Sequence, residues 1–208
     1  MRWHRLLRPP QPLVHNPAEK LLPHCEGTKL FIGGAGGVVP AGFLNVDFVE
    51  MLGVDVVADI QHLPFTNGSV AAIDCDAVLE HVLDAKLAVR ELHRVLQPGG
   101  YLHVVVPFCQ AFHAYPSDYR RWTVEGLAAL LGDFEMLDVG VRAGPTATLL
   151  SFLLEYLKLP FNGVFGKAAY AAAGWIVWPL RYLDVWLNKR PNAHVLAHAI
   201  YLLARKPL

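Results

Sequence analysis

The sequence predicts an α/β layer architecture built on a mostly parallel sheet, and three observations carry that reading. An apolar run, Lys29 to Ile32, breaks into the glycine-rich stretch Gly33-Gly34-Ala35-Gly36-Gly37. Two further apolar runs follow closely and end on carboxylates, Phe43 to Asp47 and Val54 to Asp59. Beyond them, short apolar runs alternate with turn signals and amphipathic stretches, the pattern of layered α/β domains.

Glycines allow positive φ and let backbone approach a ligand closely, so the turn after the first strand can cradle a nucleotide-type molecule. In open α/β sheets the ligand crevice lies beyond the carboxyl ends of the strands, where a strand-end acid can accept hydrogen bonds from a ribose diol. Asp47 is placed for that role. A glycine-rich turn alone is a weak signal, and the two strand-end aspartates strengthen it.

Strands are expected at 29–32, 43–47, 54–58, 70–75, 101–106, 135–141 and 195–204. Roughly ten residues separate the first two, too few for a full crossover helix with its loops, so the first crossover is abbreviated. Between Asp84 and Leu96, the residues Leu87, Ala88, Leu92, Val95 and Leu96 recur at helical spacing. Pro98-Gly99-Gly100 is read as stopping that helix and turning the chain into the β-branched run Tyr101–Val106. Thr123 is a helix N-cap, with Glu125 in the first turn and Gly132 past the end. Two or three short helices fit the apolar, aromatic stretch 146–186, and an apolar closing run from His194 to Arg205 reads as a strand. The division is then an arm or lid at 1–28, a core at 29–144, an apolar helical covering segment at 145–193 and a closing strand at 194–208.

Composition narrows the function. Lys+Arg and Asp+Glu number 18 each in 208 residues, so no global field favours nucleic acid. Three cysteines, Cys25, Cys75 and Cys109, form no C-x-x-C pair, which argues against a disulfide framework and for a reducing, cytoplasmic setting. The basic amino terminus lacks the apolar core of a secretory signal. The longest uncharged part of the apolar region, 168–180, is shorter than the roughly 20 residues a membrane span needs.

A longer series makes the reading specific. Asp59-Ile-Gln-His-Leu-Pro-Phe, then Leu79-Glu80-His81-Val82, then Arg94-Val-Leu-Gln-Pro-Gly-Gly100 resembles the class I S-adenosylmethionine-dependent methyltransferases of the small bacterial, type 11-like group. The resemblance spans 30–140 and implies a Rossmann-like, seven-stranded, mostly parallel sheet with an antiparallel last strand and helices on both faces. It implies S-adenosyl-L-methionine as cofactor, with Gly33, Gly34, Ala35 and Gly36 facing its methionine part. Asp47 would hold the ribose and Phe48 lie against the adenine, while Asp59 and Ile60 meet the ring edge and Asp76 and Ala77 line the methionine end. The family's turn begins with an acid and has a middle glycine; here Phe31 and Ala35 occupy those places. A short Gly33–Asp47 link and the segment from His113 through Pro116, Asp118, Tyr119 and Arg121 to Thr123 are similar to those of one subgroup.

Methyl transfer from a sulfonium needs mainly in-line positioning, with a base for an oxygen or nitrogen nucleophile. His113 is the first candidate base, with Asp118 as its partner, His81 as a further catalytic group, and Tyr119 and Arg120 orienting the substrate. The plain alternative makes His113 and Asp118 loop-stabilising groups, and Arg121 and Trp122 anchors for the next helix. His194 and His198, on one face of a strand, lack a third ligand at suitable spacing, so no metal is expected. The expected reaction moves a methyl group to an oxygen or nitrogen of a small or lipid- or sugar-linked acceptor. The rival is a non-catalytic cofactor-binding or scaffold protein on the same fold; a nicotinamide oxidoreductase fits the Leu63-Pro-Phe series poorly. No nucleic acid partner is expected. The aromatic tail with Trp175, Trp178, Tyr182 and Trp186 is a covering lobe, a peripheral membrane contact aided by Arg181, Lys189 and Arg190, or a homodimer face.

Overall fold

The computed structural model describes residues 12–208, so the part of the arm expectation at 1–11 lies outside the described residues. Seven strands form one sheet: β1 (Thr28–Ile32), β2 (Leu44–Asp47), β3 (Val56–Val57), β4 (Val70–Asp76), β5 (Leu96–Pro107), β6 (Glu135–Ala143) and β7 (Ala199–Arg205). Their order is β3-β2-β1-β4-β5-β7-β6. Strands β3 through β5 are parallel neighbours. Reciprocal bonds between Lys206 and the Gly99–Gly100 pair set β7 antiparallel to β5. The order reverses direction between β1 and β4, which is where an open α/β sheet forms its ligand crevice.

Burial explains why these runs are central strands. All of Val70 to Cys75 is buried, as is Leu102 to Pro107, the pattern of strands covered on both faces. One polar pair sits inside this core: His103 Nδ1 lies 2.8 Å from Asp74 Oδ1, and the two residues are register partners across β4 and β5.

The first crossover is abbreviated as expected, since no helix separates β1 from β2. Its glycines let the link lie flat on its neighbours. A Cβ on Gly34 would stand 2.3 Å from Asn45 Oδ1, and one on Gly36 would stand 2.6 Å from the Leu52 carbonyl oxygen. The first full helix, α1 (Ala85–Val95), buries Ala85, Ala88, Val89, Leu92 and Val95, and Asp84 caps it by accepting from the Leu87 amide at 2.9 Å. Thr123 caps α2 (Val124–Leu130) through the Gly126 amide at 3.1 Å.

Two boundaries differ from the sequence reading. Strand β5 begins at Leu96, so Pro98, Gly99 and Gly100 lie inside it, at a register shift against β4 between Val70 and Ala72. Here the irregular ladder leaves room for a residue without an amide proton. Residues Ala193–Leu196 form a 3-10 turn and β7 starts only at Ala199, so His194 and His198 do not share a strand face.

The described chain divides into two compact units. One comprises 16–107, 113–140 and 200–208 and carries the sheet core. Residues 17–24, assigned by sequence to the arm, are two 3-10 turns of this unit, with Ala18 and Leu22 buried in a cluster with Phe43, Ala72 and Leu203. The second unit comprises 12–15, 108–112 and 141–199. It contains α3 (Pro145–Lys158), α4 (Gly163–Val177), a 3-10 turn at Trp178–Leu183 and α5 (Asp184–Leu187). Asp184, 1% exposed, accepts from the Thr146 and Ala147 amides at 2.8 and 3.1 Å and so caps α3 from a distant segment. No helix among the described residues is long and apolar enough to cross a membrane.

Candidate active site

At the carboxyl edge of β1, β2, β3 and β4 the sheet unit opens a cavity of about 300 Å³. Ile32 and Gly33 follow from β1, Asp47 and Phe48 from β2, Ala58 to Gln61 from the segment after β3, and Ala77 and Val78 from the end of β4. The far wall is made by His81, Leu83, Tyr115, Ser117 and Tyr119. Apolar walls with a few fixed polar groups are the ordinary constitution of a small-ligand site.

Asp47 is braced at the mouth of the glycine turn. Its Oδ2 accepts from the Ala35 amide at 2.9 Å and its Oδ1 from the Val49 amide at 3.0 Å. Each carboxylate oxygen accepts more than one bond, so this bracing leaves capacity for a diol in the cavity. Phe48, 65% exposed, stands beside it at the cavity edge. Gly33 has φ 94°, and a Cβ there would fall 2.4 Å from Val78 Cγ2 and 2.8 Å from the Asp76 carbonyl oxygen. Only a glycine fits between the ends of β1 and β4.

Several expected cofactor residues sit elsewhere. Gly34, Ala35 and Gly36 are not in the cavity wall; they pack the turn against β2 and the following loop, and Ala35 contributes through its amide bond to Asp47. Asp76 contributes backbone beside Gly33 rather than a wall side chain, whereas Ala77, at φ 54°, lines the cavity. Asp59 and Ile60 both line it. Gln61, which the sequence reading passed over, donates from Nε2 to both Asp59 carboxylate oxygens at 3.2 and 3.1 Å and fixes that side chain. Phe31, in the place of the family's acid, is turned to the cluster of Ala18, Leu22 and Phe43 and is absent from the cavity wall.

The expected catalytic and substrate groups are rearranged in the same way. His81 and Tyr119 line the cavity; His113, Asp118 and Arg120 do not. Arg120 Nη2 donates to the Leu83 carbonyl at 2.6 Å, so one of its guanidinium nitrogens braces that loop. Asp118 is not a free partner for the His113 ring: Arg121 Nη2 binds its Oδ2 at 2.7 Å and Arg121 Nη1 binds its Oδ1. The His113 amide also donates to it at 2.8 Å, while the ring Nδ1 stays 3.7 Å away. Hydrogen bonds from Arg121 hold the Asp118 carboxyl well below the ordinary carboxylate range.

The group that faces the His113 ring Nε2 is Glu80, which sequence reasoning did not single out. Glu80 Oε1 lies 3.8 Å from His113 Nε2 and 3.7 Å from His81 Nε2. Its side chain is 0% exposed, and burial pushes its carboxyl up to about 7 despite the attraction of Arg121. The segment 113–121 covers it, tied down by the Tyr119 amide donating to the Glu80 carbonyl at 2.8 Å.

Strand order, switch-point cavity and strand-end acid together define a class I, Rossmann-like methyltransferase fold. Residues 42–104, under a third of the chain, match the family described as a methyltransferase domain. A demethylmenaquinone methyltransferase from Mycolicibacterium vanbaalenii is 25% identical over 180 residues, 83% of this chain and 74% of its own length. A putative methyltransferase from Bacillus halodurans superposes with a TM-score of 0.56 at 16% identity, covering 92% of this chain and 99% of that one. The [4+2]-cyclase SpnF superposes at 0.59 and 20% identity, covering 92% of this chain and 79% of its own. A phosphoethanolamine N-methyltransferase from Haemonchus contortus, in complex with S-adenosyl-L-methionine, superposes at 0.56 and 16% identity, covering 95% of this chain and 54% of that one. Residues 42–104 thus match a methyltransferase domain, and the chain is similar in fold to S-adenosylmethionine-dependent methyltransferases of the class I type.

Proposed function

We propose that the chain transfers the methyl group of S-adenosylmethionine to an oxygen or nitrogen of a small, lipid- or sugar-linked acceptor. Asp47 carries this reading: it is a strand-end carboxylate held at the cavity wall by two backbone amides. In the proposed pose it takes the ribose diol, Phe48 lies on the adenine and Gln61, with Asp59 and Ile60, meets the ring edge. The methyl group then points toward His81 and Tyr119, where the acceptor enters. That acceptor is apolar in part, because Val82, Leu83, Tyr115 and Tyr119 form this end of the cavity. The name of the mycobacterial relative, a methyltransferase acting on demethylmenaquinone, supports a lipid-linked acceptor.

Calorimetric titration with S-adenosylhomocysteine tests the pose. The wild type should bind one equivalent, and Asp47→Ala should weaken binding by about 1–3 kcal/mol, the cost of a buried polar group left without its partner. Absence of binding by the wild type refutes the function, and an unchanged affinity in the variant removes Asp47 from the site. Incubation with radiolabelled methyl donor and a total cell extract, with the label fractionated into lipid, glycan and small molecules, then identifies the acceptor class.

The same proposal includes peripheral contact with a lipid surface through 146–190. The second unit presents Leu149, Phe152, Leu153, Tyr156 and Leu157 exposed at helical spacing along α3, with Lys189 and Arg190 exposed further along the chain. An apolar stripe with cations nearby is the composition of an interfacial helix.

A further inference from the structure

We infer that Glu80, His81 and His113 form a binding site for one divalent transition-metal cation of the zinc class, beside the acceptor end of the cavity. The three residues offer one carboxylate oxygen and two imidazole nitrogens, and these ligand atoms all lie within 4.8 Å of one another. Two-nitrogen, one-oxygen sets with room for a further ligand suit zinc and its neighbours in the series. With metal–ligand bonds of about 2.1 Å, ligand atoms in a tetrahedral site stand about 3.4 Å apart. The observed 3.7 and 3.8 Å separations from Glu80 Oε1 therefore need a contraction of only a few tenths of an ångström.

Three further features fit a cation there. First, Glu80 is fully buried and neither of its carboxylate oxygens has a hydrogen-bond partner. A buried carboxylate without partners is costly unless a positive charge or a proton neutralises it. Arg121, a neighbouring cation, is committed to Asp118 through both Nη atoms. Second, His81 Nδ1 is bound to the Ser117 carbonyl oxygen. A carbonyl only accepts, so Nδ1 carries the proton and Nε2 presents its lone pair toward Glu80, the outer-partner arrangement usual for metal-binding histidines. Third, the Asp118 carboxylate stands 3.7 Å behind His113 Nδ1, in the place where an outer acid would take that proton once Nε2 is bound to metal. Arg121 Nη2 also lies 3.4 Å from that Nδ1, so metal uptake requires the ring to favour Asp118 over Arg121. His81 lines the cavity and the His113 side chain is 35% exposed, so the cluster borders the cavity through His81 and is open to solvent through His113.

The inference rests on the methyltransferase reading only for the word acceptor, and its test is independent of turnover. Chelator-stripped protein is titrated with Co²⁺, read by visible absorption, and then with Zn²⁺ in competition. The wild type should take up one Co²⁺ per chain with the intense absorption of four- or five-coordinate cobalt, and Zn²⁺ should displace it. His113→Ala and Glu80→Gln should each lose more affinity than the roughly 10–100-fold that removal of an outer partner costs. His24→Ala, an exposed histidine outside the cluster, should leave binding unchanged. Thermal melts confirm folding, and because Glu80 is buried the partly exposed His113 serves as the second variant. No uptake by the wild type, or uptake that His113→Ala and Glu80→Gln leave intact, overturns the site. S-adenosylhomocysteine titration of the same samples separates the readings: nucleoside binding without metal binding sinks the metal site alone, and the reverse sinks the methyltransferase pose alone.

Discussion

Asp118 is held by two bonds from Arg121 and one from the His113 amide, with its side chain 1% exposed. Its folded pKa lies below the unfolded value of about 3.9. The sign follows from linkage: the charged form is the one stabilised, so the contribution is fully present above the unfolded pKa and is lost as pH falls through and below it. Charge-assisted hydrogen bonds of this kind contribute about 1.5–3 kcal/mol. Asp118→Asn should therefore destabilise the protein by about that amount near neutral pH. It should also flatten the acid limb of the stability curve below about pH 4, measured by urea denaturation across pH. A variant whose acid limb matches the wild type would show that the Arg121 bonds are not what stabilises the loop. The residue scale also marks the limit of what sequence reveals about the site. Asp47 and Asp59 are legible because each ends an apolar run, and strand ends meet the crevice, whereas Phe48 and Ile60 are reached only through the family resemblance; all four line the cavity. Glu80 is not legible, because its burial depends on the segment 113–121 folding back over it, a contact between positions far apart in the chain. Asp118 has a second partner that residue types alone do not reveal: Arg121, three residues on, reaches both carboxylate oxygens, while the His113 amide donates to Oδ2.

At the scale of elements, local capping chemistry was readable where the cap and helix are contiguous. Asp84 and Thr123 each cap the helix that follows them. Strand β5 starts earlier than its sequence pattern predicts, because Pro98 and two glycines ordinarily end an element, and only the register shift against β4 shows how the ladder tolerates them. The run 194–205 has an apolar pattern that fits a strand throughout, yet its first residues are a 3-10 turn, since periodicity cannot separate short apolar turns from strands. The cap on α3 was beyond reach of any local rule, because Asp184 arrives from α5. Gly144 supports it: a Cβ there would fall 2.1 Å from Asn188 Oδ1 and 2.7 Å from Asp184 Oδ1. Asp184→Ala removes the acceptor for two buried amides at the positive end of a helix. The expected loss is about 2–4 kcal/mol, from a broken charge-assisted pair and the lost dipole interaction. Differential scanning calorimetry should show this as a lowered transition for the helical unit, and S-adenosylhomocysteine binding in the sheet unit should persist at temperatures below it. A loss under 1 kcal/mol would mean water replaces the carboxylate and the cap is incidental.

At the scale of the whole molecule, neutrality and apolarity act together. Eighteen basic residues balance eighteen acidic ones, so a lipid surface is not attracted by net charge, and any affinity must come from the local face of the helical unit. The helical unit has Tyr156 70% exposed and Val164 and Phe165 79% and 78% exposed, and its Arg190 guanidinium lies 4.1 Å over the Trp186 ring. Aromatic rings beside cations are suited to the headgroup layer, where one end is apolar and the other wet. The protein should therefore co-sediment with vesicles containing anionic phospholipid at low salt and much less with purely zwitterionic vesicles. Because a few exposed cations provide the electrostatic part, binding should fall as ionic strength rises and the Debye length shortens from roughly 30 Å at 0.01 M to 10 Å at 0.1 M. Leu149→Glu with Tyr156→Glu should abolish sedimentation at every salt concentration while leaving S-adenosylhomocysteine affinity unchanged, since both residues lie in the helical unit. If the wild type stays in the supernatant and analytical ultracentrifugation shows a dimer that this double variant dissociates, the apolar stripe is a self-association face and the lipid reading fails.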